Sequence, residues 1–306
     1  MSPVLGLFSP SGAVSPPAAL RRAAQRLAAL GFEVAVDADA LARHQRFAGT
    51  DTQRLAALHR VAEAAPAVAM ATRGGYGLTR LLDGIQWPLL ARSVERGTRW
   101  VGHSDFSARL LGLLAHTGTP SWAGPMACGD FGRTVAEAGG EDAVDDITRD
   151  CFLEAMDGSL EAVGFRTEPG FDGLEARGRL WGGNLTVLLS LLGTPHGPRA
   201  AARGGVLVLE DVNEHPFRVE RGLLQLRQAG VLQAQRAVLL GAFSGSRPVP
   251  QDRGYALKAA VARVREGLAT PVLTGLPFGH VHPKLTLPVG RRVQLVVQGR
   301  EVLILW

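Results

Sequence analysis

Over the first 125 residues the apolar pattern switches repeatedly between a period of two and a period of 3.6. The run VLGLFSP breaks at Ser-Pro-Ser-Gly and gives way to the helical pattern PPAALRRAAQRLAALG, and FEVAVD is followed by TQRLAALHRVAEAA. AVAMATRGG precedes the helical GLTRLLDGI, and TRWVGHS precedes DFSARLLGLLAHTG. Parallel strands need a crossover between them, so this alternation implies βαβ units and a parallel sheet. From about Phe131 to Gly178 the pattern weakens into acids and glycines (EAGGEDAVDD, EPGFDGLEARG), with one helix expected around Asp145 to Met156. A second unit follows, reading helix NLTVLLSLLG, strand GGVLVLED, helix FRVERGLLQLRQAG, strand AVLLGAF, helix YALKAAVARVREGL and strand PVLTG. It closes on the β-pair RVQLVVQG and REVLILW. The expected division is an N-terminal α/β domain over residues 1–130, a connection over 131–175 and a C-terminal α/β domain over 176–306.

The bulk properties exclude several classes. No apolar run approaches the roughly 20 residues that a membrane-spanning helix needs. The N-terminus MSPVLGLFSPSG has no basic region, and its apolar stretch is too short for a secretory signal, so residence in the cytoplasm is expected. The net charge of +5 comes almost wholly from Arg, with Lys only at Lys258 and Lys284, and the basic residues are interleaved with acids as in RVERGLLQLRQ. A nucleic-acid binder would concentrate that charge on one face or in a tail. Cys128 and Cys151 form no CxxC pair and no zinc-ligand spacing, and are expected to be two thiols in a reducing compartment.

In open α/β sheets, ligands collect outside the carboxyl ends of the strands. Four such ends carry unusual residues: SPSG (9–12), TRGGYG (72–77), GHSD (102–105) and EDVNEHP (210–216). Ser104 follows a strand and precedes a strong helix, with Gly102 allowing a tight turn, so its hydroxyl is expected at a helix N-terminus where developing negative charge is favoured. The segment is not a G-x-S-x-G elbow, since residue 106 is Phe, and Ser104 or Asp105 could equally be a helix cap. The glycines of TRGGYG suit either an oxyanion held by backbone N–H groups or a plain turn. Glu210 ends an apolar run, where an ionised carboxylate is costly unless paired. Asp211 and Glu214 read better as ion-pairing or capping residues. His280 and His282 lie in the loop LPFGHVHP, and without a third ligand of clear spacing they make a weak metal site.

Together these segments resemble the LD-carboxypeptidases, also called muramoyltetrapeptide carboxypeptidases. The resemblance is an ordered series, SPSG, RGGYG with RLLD, G-x-SD, GGNL, LEDVNEHPFRVER, GAFSG and GLPFGH, running from about residue 9 to residue 290. It implies an N-terminal flavodoxin-like parallel-sheet domain and a smaller C-terminal α/β domain of swivelling type, with the active site across their interface in a homodimer. It implies a serine peptidase with Ser104 as nucleophile, Glu210 as acid and His280 as base. Its oxyanion hole would use the N–H groups of Gly75 (or its neighbour Gly74) and Asp105. The implied reaction is release of the terminal D-alanine from murein tetrapeptides, free or linked to sugar or nucleotide, with no metal or organic cofactor. A branch of the family instead cleaves peptide-nucleotides of the microcin C type, and a two-lobed binding protein is the non-catalytic alternative. Arg73 and Arg80 are candidates for the substrate carboxylate, and Trp181 and Asn184 for the substrate wall. The residue before the nucleophile is often aromatic in relatives and is His103 here; adjacent residues after a strand point to opposite sides, so His103 is not expected to reach Ser104.

Overall fold

The computed structural model describes residues 2–139, 143–197 and 203–306. Five parallel strands form the first sheet: β1 (Val4–Phe8), β2 (Glu33–Val36), β3 (Val68–Ala71), β4 (Arg99–Gly102) and β5 (Ser121–Ala123). Their spatial order is 2-1-3-4-5, the flavodoxin-like winding. Four helices connect them: α1 (Pro17–Ala29), α2 (Asp51–Ala64), α3 (Trp87–Glu95) and α4 (Ser107–Thr117). Pro17 opens α1, and its buried Leu20, Ala23 and Leu27 recur at helical spacing. The α2 helix starts from a reciprocal cap, in which Thr50 accepts from the Gln53 amide while the Gln53 side chain accepts from the Thr50 amide.

The segment GLTRLLDGI departs from its expected helix and forms two short 3₁₀ turns, Leu78–Arg80 and Leu82–Gly84. The Leu78 amide donates to the Asp105 carboxylate, and Gly84 lies where a Cβ would come within 2.8 Å of Leu55. The crossover helix is α3 instead, opened by Trp87-Pro88.

The second sheet holds β6 (Ala162–Arg166), β7 (Glu175–Asn184), β8 (Val206–Val212), β9 (Ala237–Ser244) and β10 (Val272–Thr274), with β12 (Arg292–Gln298) and β13 (Glu301–Leu305). Their order is 10-9-8-7-12-13-6, parallel from β7 to β10 and antiparallel beyond β7. The remaining helices are α5 (Asp146–Asp157), α6 (Leu185–Leu191), α7 (Pro216–Gln228) and α8 (Leu257–Arg265). The intervening short strand β11 (Leu287–Val289) leaves this sheet and pairs antiparallel with β5 of the first.

The stretch expected to be a connection is thus structural on both sides. Phe152 of α5 packs on Phe32 and Phe131 next to the first sheet, and β6 closes the edge of the second. One apolar cluster runs from Phe8 and Trp100 through α4 to Trp181 and Leu209, so the two sheets share a core. The α4 helix is buried on all sides between them, as its apolar residues on every face require. Among the described residues no helix is long and apolar enough to cross a membrane.

Candidate active site

Strand β4 ends at Gly102, and the chain turns sharply at Ser104, whose φ of +63° lies in the left-handed region. A non-glycine residue there is strained, a conformation that persists where surrounding structure enforces it. The enforcement is visible: Phe106 is buried beneath the turn, so close that a Cβ on Gly102 would stand 2.7 Å from its ring. Ser104 therefore stands at the start of the turn Ser104–Phe106 that leads into α4.

His280 reaches this serine from the other sheet. Its Nε2 lies 2.9 Å from Ser104 Oγ, and its Nδ1 lies 2.8 Å from Glu210 Oε2. Glu210 is fully buried at the carboxyl end of β8, where the register with β9 shifts between Leu209 and Asp211. Such a bulge re-aims a side chain. Gly279 makes the approach possible, since a Cβ there would meet Glu210 Oε2 at 2.9 Å and its φ is +121°. With the carboxylate accepting from Nδ1–H, Nε2 is left to accept from the serine hydroxyl, the polarity required for nucleophilic attack.

Asn184 does not face a substrate space as expected. It is buried, and its Nδ2 donates to Asp211 Oδ1 at 2.8 Å and to Glu210 Oε1 at 3.3 Å, while its Oδ1 caps α6 through the Val187 amide. Asp211 also accepts from the amide and hydroxyl of Thr186. The Asn184 amide donates to Ser107 Oγ, joining the base of α4 to the end of β7. Sequence reasoning missed this bracing of Glu210; the only signal was GGN at a strand end.

Trp181 likewise departs from the expected substrate wall. It is buried, donates from Nε1 to Gln235 Oε1 at 2.9 Å, and lines a separate hollow with Leu188. Its alternation along β7 turns it into the core of the second sheet.

The glycine turn closes the site from the opposite side. A Cβ on Gly74 would lie 2.8 Å from Ser104 Oγ and 3.3 Å from the Asp105 amide nitrogen. Gly75 adopts a φ of +104°. Asp105 ties the turn to the serine loop by accepting from Leu78; burial pushes its carboxyl upward and that hydrogen bond pulls it back. A cavity of about 450 Å³ opens over Ser104, Gly74, Gly75 and His280, with Arg73 and Arg133 on its walls. Arg73 is held in place by donating to the Ala13 carbonyl. Arg80 is elsewhere, paired with Asp51 and stacked over Phe47.

His103 points away from the serine hydroxyl, with Nδ1 on the Gly124 carbonyl and Nε2 beside Lys284 Nζ. His282 lies 3.7 Å from Asp130, and among the described residues no three His, Cys, Asp or Glu side chains are arranged to hold a metal. Cys128 and Cys151 are free, and burial pushes the Cys128 thiol up to about 11.

A family model described as the LD-carboxypeptidase N-terminal domain matches residues 5–124, and the corresponding C-terminal domain matches residues 177–295. A putative carboxypeptidase of Streptomyces coelicolor is 33% identical over 297 residues, covering 95% of this chain and 89% of the relative. The murein tetrapeptide carboxypeptidase of Pseudomonas aeruginosa is 30% identical over 304 residues, covering 97% and 94%. The crystal structure of muramoyltetrapeptide carboxypeptidase from Oxalobacter formigenes superposes with a TM-score of 0.87 at 37% identity, over 98% of this chain and 97% of that one. On both its domains and along nearly its whole length, this chain belongs to the LD-carboxypeptidase family.

Proposed function

We propose that this protein is a serine carboxypeptidase that releases the terminal D-alanine from murein tetrapeptides. The observation that carries the reading is the continuous relay from Ser104 Oγ through His280 to the buried Glu210, drawn from the ends of β4 and β8 and the loop between β10 and β11. A two-lobed binding protein has no need of that alignment. Murein peptides are the substrates named for the Pseudomonas and Oxalobacter relatives.

In this mechanism His280 takes the Ser104 proton as Oγ attacks the carbonyl before D-alanine. Glu210 holds the imidazole in the productive tautomer and stabilises its cationic form. The N–H groups of Gly75 and Asp105 receive the oxyanion in the space that the absent Gly74 side chain leaves open. A donor of this kind contributes about 3–4 kcal/mol in the transition state. His280 then returns its proton to the leaving amine, and water hydrolyses the acyl-enzyme. Arg73, which with Arg133 lines the cavity, takes the free carboxylate of the leaving residue in this reading. The same reading takes the protein as cytoplasmic and, on the family resemblance, as a homodimer that needs no metal or organic cofactor; light scattering of the purified protein tests the dimer and cell fractionation tests the compartment.

Incubation with L-Ala-γ-D-Glu-meso-diaminopimelyl-D-Ala, followed by mass spectrometry, should show D-alanine release that vanishes in Ser104→Ala. Folded protein that leaves the tetrapeptide intact but cleaves an aminoacyl-sulfamoyl adenylate would transfer the relay to peptide-nucleotide substrates. Inertness toward both would favour a binding protein.

A further inference from the structure

Behind the relay lies a buried chain of charged and titratable groups that the mechanism does not use. Asp130, Lys284 and His103 are each 3% exposed or less. Lys284 Nζ lies 2.7 Å from Asp130 Oδ1 and 3.2 Å from His103 Nε2, and His103 Nδ1 lies 2.9 Å from the Gly124 carbonyl. The outer edge of this chain meets the candidate base: the His103 and His280 rings stand 5.0 Å apart at 72°. Lys284 is one of two lysines in a chain whose other basic residues are arginines and histidines.

The partners fix the chemistry of the ring. A carbonyl can only accept, so the His103 proton sits on Nδ1. An ammonium can only donate, so Nε2 accepts. Burial and the Lys284 charge both hold His103 well below its usual protonation range. Asp130 remains ionised: burial opposes this, but the Lys284 charge and its hydrogen bond, with the Met126 amide, outweigh it and hold the carboxyl below its usual range.

We propose that Lys284 is a positioning residue: paired with Asp130, it fixes His103 as an uncharged ring with its proton on Nδ1, against which the His280 imidazole is packed. This rests on the reading of His280 as the base. When His280 takes the Ser104 proton it becomes a cation, and a second imidazolium at ring-contact distance would oppose it. Lys284 also sits four residues after His280 on the same loop, while Asp130 and His103 belong to the serine's side of the molecule, so the pair clips the base-bearing loop to the nucleophile. The groups facing the two rings are Ser104 and Glu210 on His280, and Lys284 and Asp130 on His103. His282 faces Asp130, and Arg133 and Asp145 act on His282 from the flank.

The test combines ¹⁵N ring spectra of histidine-labelled protein between pH 5 and 9 with the pH profile of kcat/KM on the tetrapeptide. In the wild type, His103 should show a neutral Nδ1–H ring that does not titrate. In Lys284→Met, removing a fixed positive charge beside the two rings makes the first proton easier to add. His103 should then titrate or change tautomer, and the acid limb of kcat/KM should move up by about one pH unit, a tenfold loss on that limb. Lys284→Arg, which keeps the charge, should leave the His103 ring neutral and the limb in place. A purely structural lysine would lower thermal stability in Lys284→Met without moving the limb or the ring signals, and that result overturns the proposal. So does a wild-type His103 that titrates above pH 6 or carries its proton on Nε2, a measurement that stands even where Lys284→Met does not fold. The ring spectra need no substrate, so a protein that fails to cleave the tetrapeptide sinks the assigned reaction while the His103 assignment is still decided.

Discussion

Gly74 and Ser104 approach so closely that a Cβ on the glycine would stand 2.8 Å from both the Cβ and the Oγ of the serine. Gly74→Ala should therefore fill the oxyanion space. The expected result is a kcat about 100-fold to 1,000-fold lower, as when one oxyanion donor is lost, with a lower melting temperature because the Ser104 turn must shift to admit the methyl group. Steady-state kinetics and a melting curve check both halves, and a near-normal kcat would move the oxyanion elsewhere.

Removal of any relay member should be severe. Ser104→Ala and His280→Ala are expected to lose about 10⁴-fold or more in kcat, since such residues act as a unit, and Glu210→Ala somewhat less. Because Glu210 is fully buried against His280, Glu210→Gln should keep the fold while weakening control of the imidazole tautomer. Circular dichroism with turnover measurements separates loss of chemistry from loss of structure.

Asn184 braces Glu210 and Asp211 and caps α6 at once. Asn184→Ala should lose about 1 kcal/mol of stability from the cap and about tenfold in kcat from a less constrained Glu210. Asn184→Asp should be worse in kcat, because it sets a third carboxylate against the other two. Urea titration and kcat on the same preparations test this, and equal activity in both variants would remove Asn184 from the site.

Acid stability should reflect Asp130. Its folded carboxyl titrates at about 2, below the ordinary 3.8, so the group stabilises the fold above the unfolded value and loses that contribution as pH falls toward 2. In urea unfolding, the gap between wild type and Asp130→Asn should be full at about pH 5 and above, and should narrow through the range from 4 to 2. A gap that does not change with pH would mean that Asp130 is not ionised in the folded protein.

The strand–helix alternation was legible because each element carries its own local period, as in the buried Leu20, Ala23 and Leu27 of α1. The strand ends bearing Ser104 and Glu210 were legible for the same reason, and His280 only as a loop histidine, although their joint role came from the family resemblance rather than from spacing. What escaped was set by distant contacts. Trp181 beside GGN read as a substrate wall, yet its indole is turned inward to Gln235. The link from Lys284 to His103 spans 181 residues and has no local signature. Strand β5 is three residues long, too short to show a period of two, and β6 was hidden in a stretch that reads as linker.

Strand β11 gives the molecule a topological lock. The loop carrying His280 leaves from β10 in one sheet and ends in β11 of the other. A fragment ending near residue 130 would carry β5 as a bare edge, with Ser121, Trp122 and Ala123 stripped of their antiparallel neighbours. The two halves are thus tied by strand pairing as well as by a shared core, and the loop that carries the base is anchored at one end in each sheet.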